Sequence, residues 1–327
     1  MKFLILRFSS IGDIVLTTPV IRCLRLQMPE AEIHFLSRQN FRDVLEHNPY
    51  INKNIFYKDD VDEVISELKK EKYDYIIDLH HNIRSLRVKR ALKTKSFSFN
   101  KLNIEKWLIV NLKINRLPKQ HIVDRYLETI SSFGIKNDGQ GLDYFISAKE
   151  EKAIEKLPEA FGKNFIAWAI GAHHATKQLP IEKMISIAKK IKLPVVILGG
   201  KEDINKSKEL IRHFQSPVFN GCGIFSINES AAIIKHAQHV LTHDTGMMHI
   251  AAAFRKNIIS VWGNTIPEFG MSPYLPAAFA TNSLIVQVNN LSCRPCSKIG
   301  YQKCPKGHFK CMKEINENEI IKTLHCP

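Results

Sequence analysis

Short apolar runs alternate with longer amphipathic segments along most of the chain. Residues 3–8 are apolar except for Arg7, which predicts a buried first strand. Residues 14–27 carry apolar side chains at helical spacing, with Pro19 in or near the first turns. Residues 32–36, 54–57 and 75–79 read as further strands, and 41–47 and 61–70 as helices. Such alternation predicts a parallel sheet with helices on both faces. The rhythm restarts after Pro158, with strands over 165–169, 194–198, 239–242 and 258–262, and helices over 181–190, 207–213 and 227–236. The expectation is an α/β chain of two Rossmann-like domains, residues 1–155 and 156–327, facing across a cleft. Ligands then sit at the carboxyl ends of the strands. Residues 101–120 are less regular. There Trp107, Leu108, Val110 and Leu112 stand among Lys101, Lys106, Lys113 and Arg116, as in a basic amphipathic helix or loop.

The length of 327 residues agrees with two domains, and 44% hydrophobic with 24% charged residues is a globular composition. No run approaches the roughly 20 apolar residues of a membrane span. The first residues read as a strand, not a signal peptide, so a cytoplasmic protein is expected. The net charge of +15 is gathered in two places. Residues 83–121 hold eleven Lys/Arg and one acid, and 290–313 hold six and none. Both favour phosphate-bearing partners. Of seven cysteines, Cys23, Cys222 and Cys326 are scattered, whereas Cys293, Cys296, Cys304 and Cys311 cluster. Their C-x2-C-x7-C-x6-C spacing fits a structural zinc, with His308 as an alternative ligand, or free thiols.

Four strand-to-helix junctions carry candidate chemistry. Asp244-Thr245-Gly246 precedes a small-residue helix whose first N–H groups and positive dipole end can hold an anion. Thr245 and His249 lie four apart, on one helix face. The competing reading is a plain helix cap at Asp244 or Thr245. Arg7 to Asp13 lacks the G-x-G-x-x-G dinucleotide pattern, and Asp13 is placed either to act as a general base or to cap. Lys177, after the loop 171–176, can neutralise a phosphate. Glu202, or alternatively Asp203, can accept from ribose hydroxyls or cap a helix. Asp60 and Asp62 stand at a helix start, where acids cap, and no catalytic metal is assigned to them.

Together these motifs resemble glycosyltransferase family 9, the ADP-heptose:lipopolysaccharide heptosyltransferases. The resemblance rests on Ser9-Ser10-Ile11-Gly12-Asp13 with Thr17 and Pro19, on Lys177 with Pro180, and on Asp244-Thr245-Gly246 with His249, Ala251 and Ala252. The late Cys293-Arg294-Pro295-Cys296 run looks like one found in many members. The resemblance implies the GT-B fold and inverting transfer of a sugar, usually heptose from ADP-heptose. The acceptor is a lipopolysaccharide core or lipid A-linked glycan, and no cofactor is required for catalysis. It implies that Asp13 is the general base. Lys177, Asp244, Thr245, Gly246 and His249 hold the donor diphosphate and sugar, and Glu202 the ribose. Ser10, Gly12 and Arg84 are the expected acceptor-side residues. The loop 171–176 departs from the loops common in that family, and Lys177-Gln178-Leu179-Pro180 lacks the tryptophan frequent before the proline, which leaves the donor's sugar and base open. Expected partners are a nucleotide sugar, a phosphorylated lipid-linked glycan and, through the basic patches, the inner face of the cytoplasmic membrane. Two rival readings remain: a basic nucleic-acid binder with a four-cysteine zinc knuckle, and a catalytically silent sugar-nucleotide binder. The basic patches carry few interleaved aromatics, so no nucleic-acid partner is expected.

Overall fold

The computed structural model of the chain describes residues 1–162 and 164–325; Cys326 lies outside them. Five strands, β1 (Lys2–Leu6), β2 (Glu32–Arg38), β3 (Lys53–Tyr57), β4 (Tyr75–Asp78) and β5 (Lys95–Ser98), form a sheet in the order β3-β2-β1-β4-β5. Every pair is parallel, with Leu4 opposite both His34 and Ile76. Six more, β6 (Ile166–Ala169), β7 (Val195–Leu198), β8 (Val218–Asn220), β9 (His239–His243), β10 (Asn257–Trp262) and β11 (Ser283–Gln287), form a second parallel sheet. Its order is β11-β10-β9-β6-β7-β8. In both sheets the order reverses beside the first strand, between β1 and β4 and between β6 and β9. At such a switch point adjacent loops splay apart and leave room for a ligand.

The central strands are apolar because helices cover both of their faces. Phe3, Leu4, Ile5 and Leu6 are all fully buried, as are Ile166, Ala167 and Trp168. One core gathers Leu4, Leu6, Phe8, Leu36, Ile76 and Val88. The other gathers Trp168, Met184, Ile197, Leu241, Val261 and Met312. The expected helix over 14–27 is two helices, Ile11–Val15 and Thr18–Gln27. The second has Pro19 in its first turn, where the missing N–H costs nothing.

The chain divides into two compact units, one of Met1–Leu102 with Gln120–Phe145, the other of Asn103–Lys119 with Ile146–Pro327. This differs from a boundary at 155/156 in two ways, each with a visible cause. The helix Ala148–Glu151 is fastened to the second unit, since Asn228 donates to Glu150 at 2.8 Å and Lys235 and His236 pair with Glu151. The helix Asn103–Asn111 buries Ile109 against Ile266 and Phe269. The basic stretch 83–121 is therefore shared between the units rather than held by the first alone.

The last helix, Glu317–Leu324, is tied down by one acid. Glu317 accepts from Ser186 at 2.6 Å and pairs with Lys183 at 2.8 Å and Lys190 at 2.9 Å. Burial alone would raise its pKa, but hydrogen bonds from Lys183, Ser186 and Lys190 outweigh that and hold it at about 2. A depressed carboxylate stabilises the fold above its ordinary pKa and loses that contribution as pH falls through the folded value. Glu317→Gln is thus expected to destabilise the protein by about 1–2 kcal/mol at neutral pH. Thermal melts should show the gap to the parent narrowing between about pH 4.5 and pH 2.

Candidate active site

The loops at the carboxyl ends of β1 and β4 gather one group of charged side chains. Arg7 is buried and fixed from several sides. It donates to the main-chain oxygens of Ser9 at 2.8 Å and Leu79 at 2.6 Å, and to the Tyr126 hydroxyl at 2.9 Å. Its Nη2 lies 2.8 Å from one carboxylate oxygen of Asp13. The other oxygen accepts from Ser10, through the main-chain N–H at 3.1 Å and the hydroxyl at 2.8 Å. Asp13 therefore does cap the helix Ile11–Val15 through Ser10. The same bonds aim a carboxylate that remains 20% exposed.

Asp78 ends β4 and accepts from the main-chain N–H of His80 at 3.1 Å and of His81 at 2.6 Å, while Lys89 neutralises it at 2.9 Å. This shapes the turn that carries His80 against Phe8, ring centroids 4.7 Å apart. Burial, with Arg7 and Lys101 nearby, depresses His80 to about 3, so its ring is neutral at physiological pH. Its Nδ1 has no hydrogen-bond partner among the described residues. Arg84, near His80, reaches the Tyr57 hydroxyl at 3.4 Å. Ser10 is engaged with Asp13, and Gly12 is buried.

The second sheet gathers a separate group at its own switch point. Lys177, after β6, places Nζ 2.6 Å from an Asp244 carboxylate oxygen and 3.3 Å from the Asp244 main-chain oxygen. The Thr265 hydroxyl, after β10, donates to the same carboxylate oxygen at 2.7 Å. Asp244 is thus not a helix cap but the hub of a three-strand cluster. Thr245 occupies the cap position of the helix Gly246–Ala253, yet its side chain makes no capping bond. It instead lies 3.4 Å from the Thr242 hydroxyl. The helix therefore opens without a side-chain acceptor on its first N–H groups, as an anion site requires. His249 is buried within that helix. His243, at the end of β9, accepts from the Leu179 N–H at 3.1 Å, and burial with Lys206 nearby depresses it to about 3.

After β7, Asp203 and Glu202 take opposite directions. Asp203 is buried and accepts from the Gly200 N–H at 3.1 Å, and burial raises its pKa. A Cβ on Gly171 would lie 2.3 Å from its carboxylate, so this glycine is required by a close approach. Asp203 is a structural brace, whereas Glu202 is exposed at the strand end. Asp60 caps a helix start, with Asp62 in its first turn, and both pair with Arg87.

The cysteine-rich loop props this second group. Cys296 donates its N–H to the Asn264 oxygen at 3.1 Å, Arg294 donates to the Thr265 oxygen at 2.7 Å, and Tyr301 donates its N–H to the Thr176 hydroxyl at 2.8 Å. Cys293 Sγ lies 3.8 Å from His308 Nε2. Burial raises Cys296 to about 11 and Cys311 to about 12. Among the described residues, only Glu32, His34 and Glu71 bring three ligand atoms within 4.8 Å of one another. As placed, then, the four late cysteines do not form a closed tetrahedral site, which needs sulfurs mutually in contact. The Glu32–His34–Glu71 group is filled by ammonium ions, with Lys2 at 3.1 Å from Glu32 and Lys53 at 2.7 Å from Glu71. Lys2, Glu32 and Lys53 begin β1, β2 and β3, the opposite sheet edge from Asp13.

A sequence model described as glycosyltransferase family 9 (heptosyltransferase) matches residues 61–305. The chain belongs to glycosyltransferase family 9. The match spans Lys177, Glu202 and Asp244 to His249 and stops short of Asp13. Lipopolysaccharide heptosyltransferase 1 of Campylobacter coli is 24% identical over 349 residues, covering 99% of this chain and 98% of that protein. A solved glycosyltransferase family 9 structure from Veillonella parvula superposes with a TM-score of 0.76 at 19% identity, over 98% of this chain and 95% of that one. The ADP-heptose lipopolysaccharide heptosyltransferase II of E. coli gives 0.73 at 18%, over 99% and 97%. The family makes the chain a glycosyltransferase, and the two structures establish its fold as two Rossmann-like domains of the GT-B type. Sequence reasoning missed Arg7, His80, Asn264, Thr265 and Arg294. Arg7 carries a faint signal as the lone charge in the first apolar run, and Thr265 as a polar residue just past the strand ending at Trp262. Asn264 is buried, with both side-chain polar atoms unpartnered among the described residues, and has no signal at all.

Proposed function

We propose that this transferase moves heptose from ADP-heptose onto a lipopolysaccharide core or lipid A-linked acceptor, inverting the anomeric centre. The observation that carries the proposal is the Lys177–Asp244–Thr265 cluster at the switch point of the second sheet, beside the uncapped helix start at Thr245–Gly246. The second unit binds the donor. Lys177 and the first N–H groups of the helix Gly246–Ala253 neutralise the leaving diphosphate, Asp244 and His249 hold the sugar, and Glu202 the ribose. The first unit binds the acceptor. Asp13, aimed by Arg7 and Ser10, takes the proton of the attacking hydroxyl as the oxygen displaces ADP from the anomeric carbon. The basic side chains Arg84 and Lys101 attract acceptor phosphates or sugar acids.

No metal touches the reacting atoms in this reaction. A zinc ion held by Cys293, Cys296, Cys304 and Cys311 would be structural, because their loop props Thr176, Asn264 and Thr265 without reaching Asp244 itself. The enzyme works in the cytoplasm, at the inner membrane surface where a lipid-linked acceptor is exposed. Among the described residues, no helix is long and apolar enough to cross a membrane. A thermal-shift screen with ADP, GDP, UDP and their sugars, with metal content read alongside, tests the donor. ADP and ADP-heptose should stabilise the chain most, and selective stabilisation by UDP or GDP would overturn the assignment.

A further inference from the structure

The helix Asn103–Asn111 turns one side inward and leaves an apolar side uncovered. Ile109 is buried against Ile266 and Phe269, with Val110 and Leu117 packed around them. Outward, Ile104 is 73% exposed, Trp107 56%, Leu112 53% and Ile114 44%. Four of the eleven large apolar side chains exposed among the described residues thus fall within eleven consecutive positions. Ile104, Trp107, Leu108 and Leu112 follow three- and four-residue spacing, so they line one side of the helix and its continuation. The Leu112 N–H still bonds to the Leu108 oxygen at 2.8 Å, which extends the helical turn.

The charge around this side is mostly positive, although the exposed Glu268 lies near Ile109 and Lys113. Lys106, Lys113, Arg116 and Lys119 fall within 103–119, against Glu105 as the only acid. Lys113 fastens the base of the element by donating to the main-chain oxygens of Val110 at 2.9 Å, Cys293 at 3.2 Å and Pro295 at 2.7 Å. Arg116 and Lys119, just beyond, are exposed. An exposed tryptophan and aliphatic side chains, followed along the chain by the exposed Arg116 and Lys119, match an anionic bilayer interface. There the indole sits at headgroup depth, and the cations meet lipid phosphates.

We infer that residues 104–119 are a membrane-docking element that inserts Trp107, Ile104, Leu112 and Ile114 among anionic lipid headgroups. The inference rests on the reading of a lipid-linked acceptor and deepens it by naming the surface that meets the lipid. The segment packs on Ile266 through Ile109. Ile266 follows Thr265, whose hydroxyl holds Asp244, so the element rests on a neighbour of the proposed donor site.

The molecule carries its own reporter. Trp168 and Trp262 are buried, so a change in tryptophan emission on adding vesicles reports Trp107. The full chain is mixed with vesicles of phosphatidylethanolamine and phosphatidylglycerol, and separately of phosphatidylcholine alone. Binding is read by co-sedimentation, and depth by quenching with brominated lipid. The expected result is a blue shift and quenching with the anionic vesicles, weak binding to phosphatidylcholine, and loss of binding in high salt. Ile104→Ser/Trp107→Ser and Arg116→Glu/Lys119→Glu should each lower vesicle affinity at least about ten-fold. Both should melt with the parent and transfer normally to a soluble, delipidated acceptor. The inference is overturned if the parent does not sediment with anionic vesicles, or if both double variants bind as the parent does. An emission shift that follows protein concentration without vesicles also overturns it, because the face would then pair with a second copy. Vesicle binding without any sugar transfer would instead remove the proposed function and leave the docking element standing.

Discussion

Asp13→Asn lowers turnover by about 10²–10⁴-fold while leaving ADP affinity within about two-fold of the parent. The amide keeps the size and much of the hydrogen bonding of the carboxylate, yet it cannot accept the acceptor's proton. Ser10 and Arg7 fix the position the amide inherits, with Asp13 held at 2.8 Å by the Arg7 guanidinium and at 2.8 Å by the Ser10 hydroxyl. One amide group must face a donor, so a stability loss of about 1–3 kcal/mol accompanies the change. Folding is not expected to fail, because Arg7 keeps its bonds to Ser9, Leu79 and Tyr126. Steady-state kinetics, isothermal titration with ADP and a thermal melt separate these effects. Near-normal turnover in a folded variant would leave Asp13 as a helix cap and nothing more.

The second large effect is expected at Lys177. Replacing it by methionine keeps most of the apolar stem and removes the charge that lies 2.6 Å from Asp244. Two losses follow. The donor diphosphate loses a cation, and the nearly buried Asp244 carboxylate keeps the Thr265 hydroxyl but no ammonium ion beside it. A charge-assisted hydrogen bond contributes about 1.5–3 kcal/mol, so ADP affinity should fall roughly 10–150-fold. Lys177→Arg restores the charge and should recover part of that loss, though its planar fork does not reproduce an ammonium ion. If calorimetry shows Lys177→Met binding ADP as the parent does, the diphosphate lies elsewhere.

Much of this was legible in the chain because parallel sheets leave a coarse imprint. Strands buried on both faces read as apolar runs, and β1, β6, β9 and β10 fell where those runs predicted. The missed strands β5, β8 and β11 are edge or near-solvent strands. Their half-exposed sequences, such as Lys95-Ser96-Phe97-Ser98, carry no such run. The junctions after β1, β6 and β9 were legible because strand-to-helix turns with Asp, Gly and Thr stand out between apolar segments. Their partners were not. Nothing local ties Thr265 to Asp244, since adjacency of β9 and β10 brings them together across 21 positions. Choosing between Glu202 and Asp203 also needed coordinates, because only the closeness of Gly171 and Gly199 shows that Asp203 is enclosed. The boundary between the units was hard to read for a similar reason. Composition marks Pro158 as a break, while side-chain bonds to Asn228, Lys235 and His236 carry the preceding helix into the second unit.

The central claim is heptose transfer from ADP-heptose, and a direct transfer assay tests it. The purified chain is incubated with ADP-heptose and a heptose-free, lipid A-linked core acceptor. ADP release and product mass are followed, and the new anomeric centre is read by NMR. The account predicts one ADP released for each heptose gained, with the anomeric configuration inverted. An unchanged acceptor, or transfer from a UDP- or GDP-sugar in preference to ADP-heptose, would contradict it.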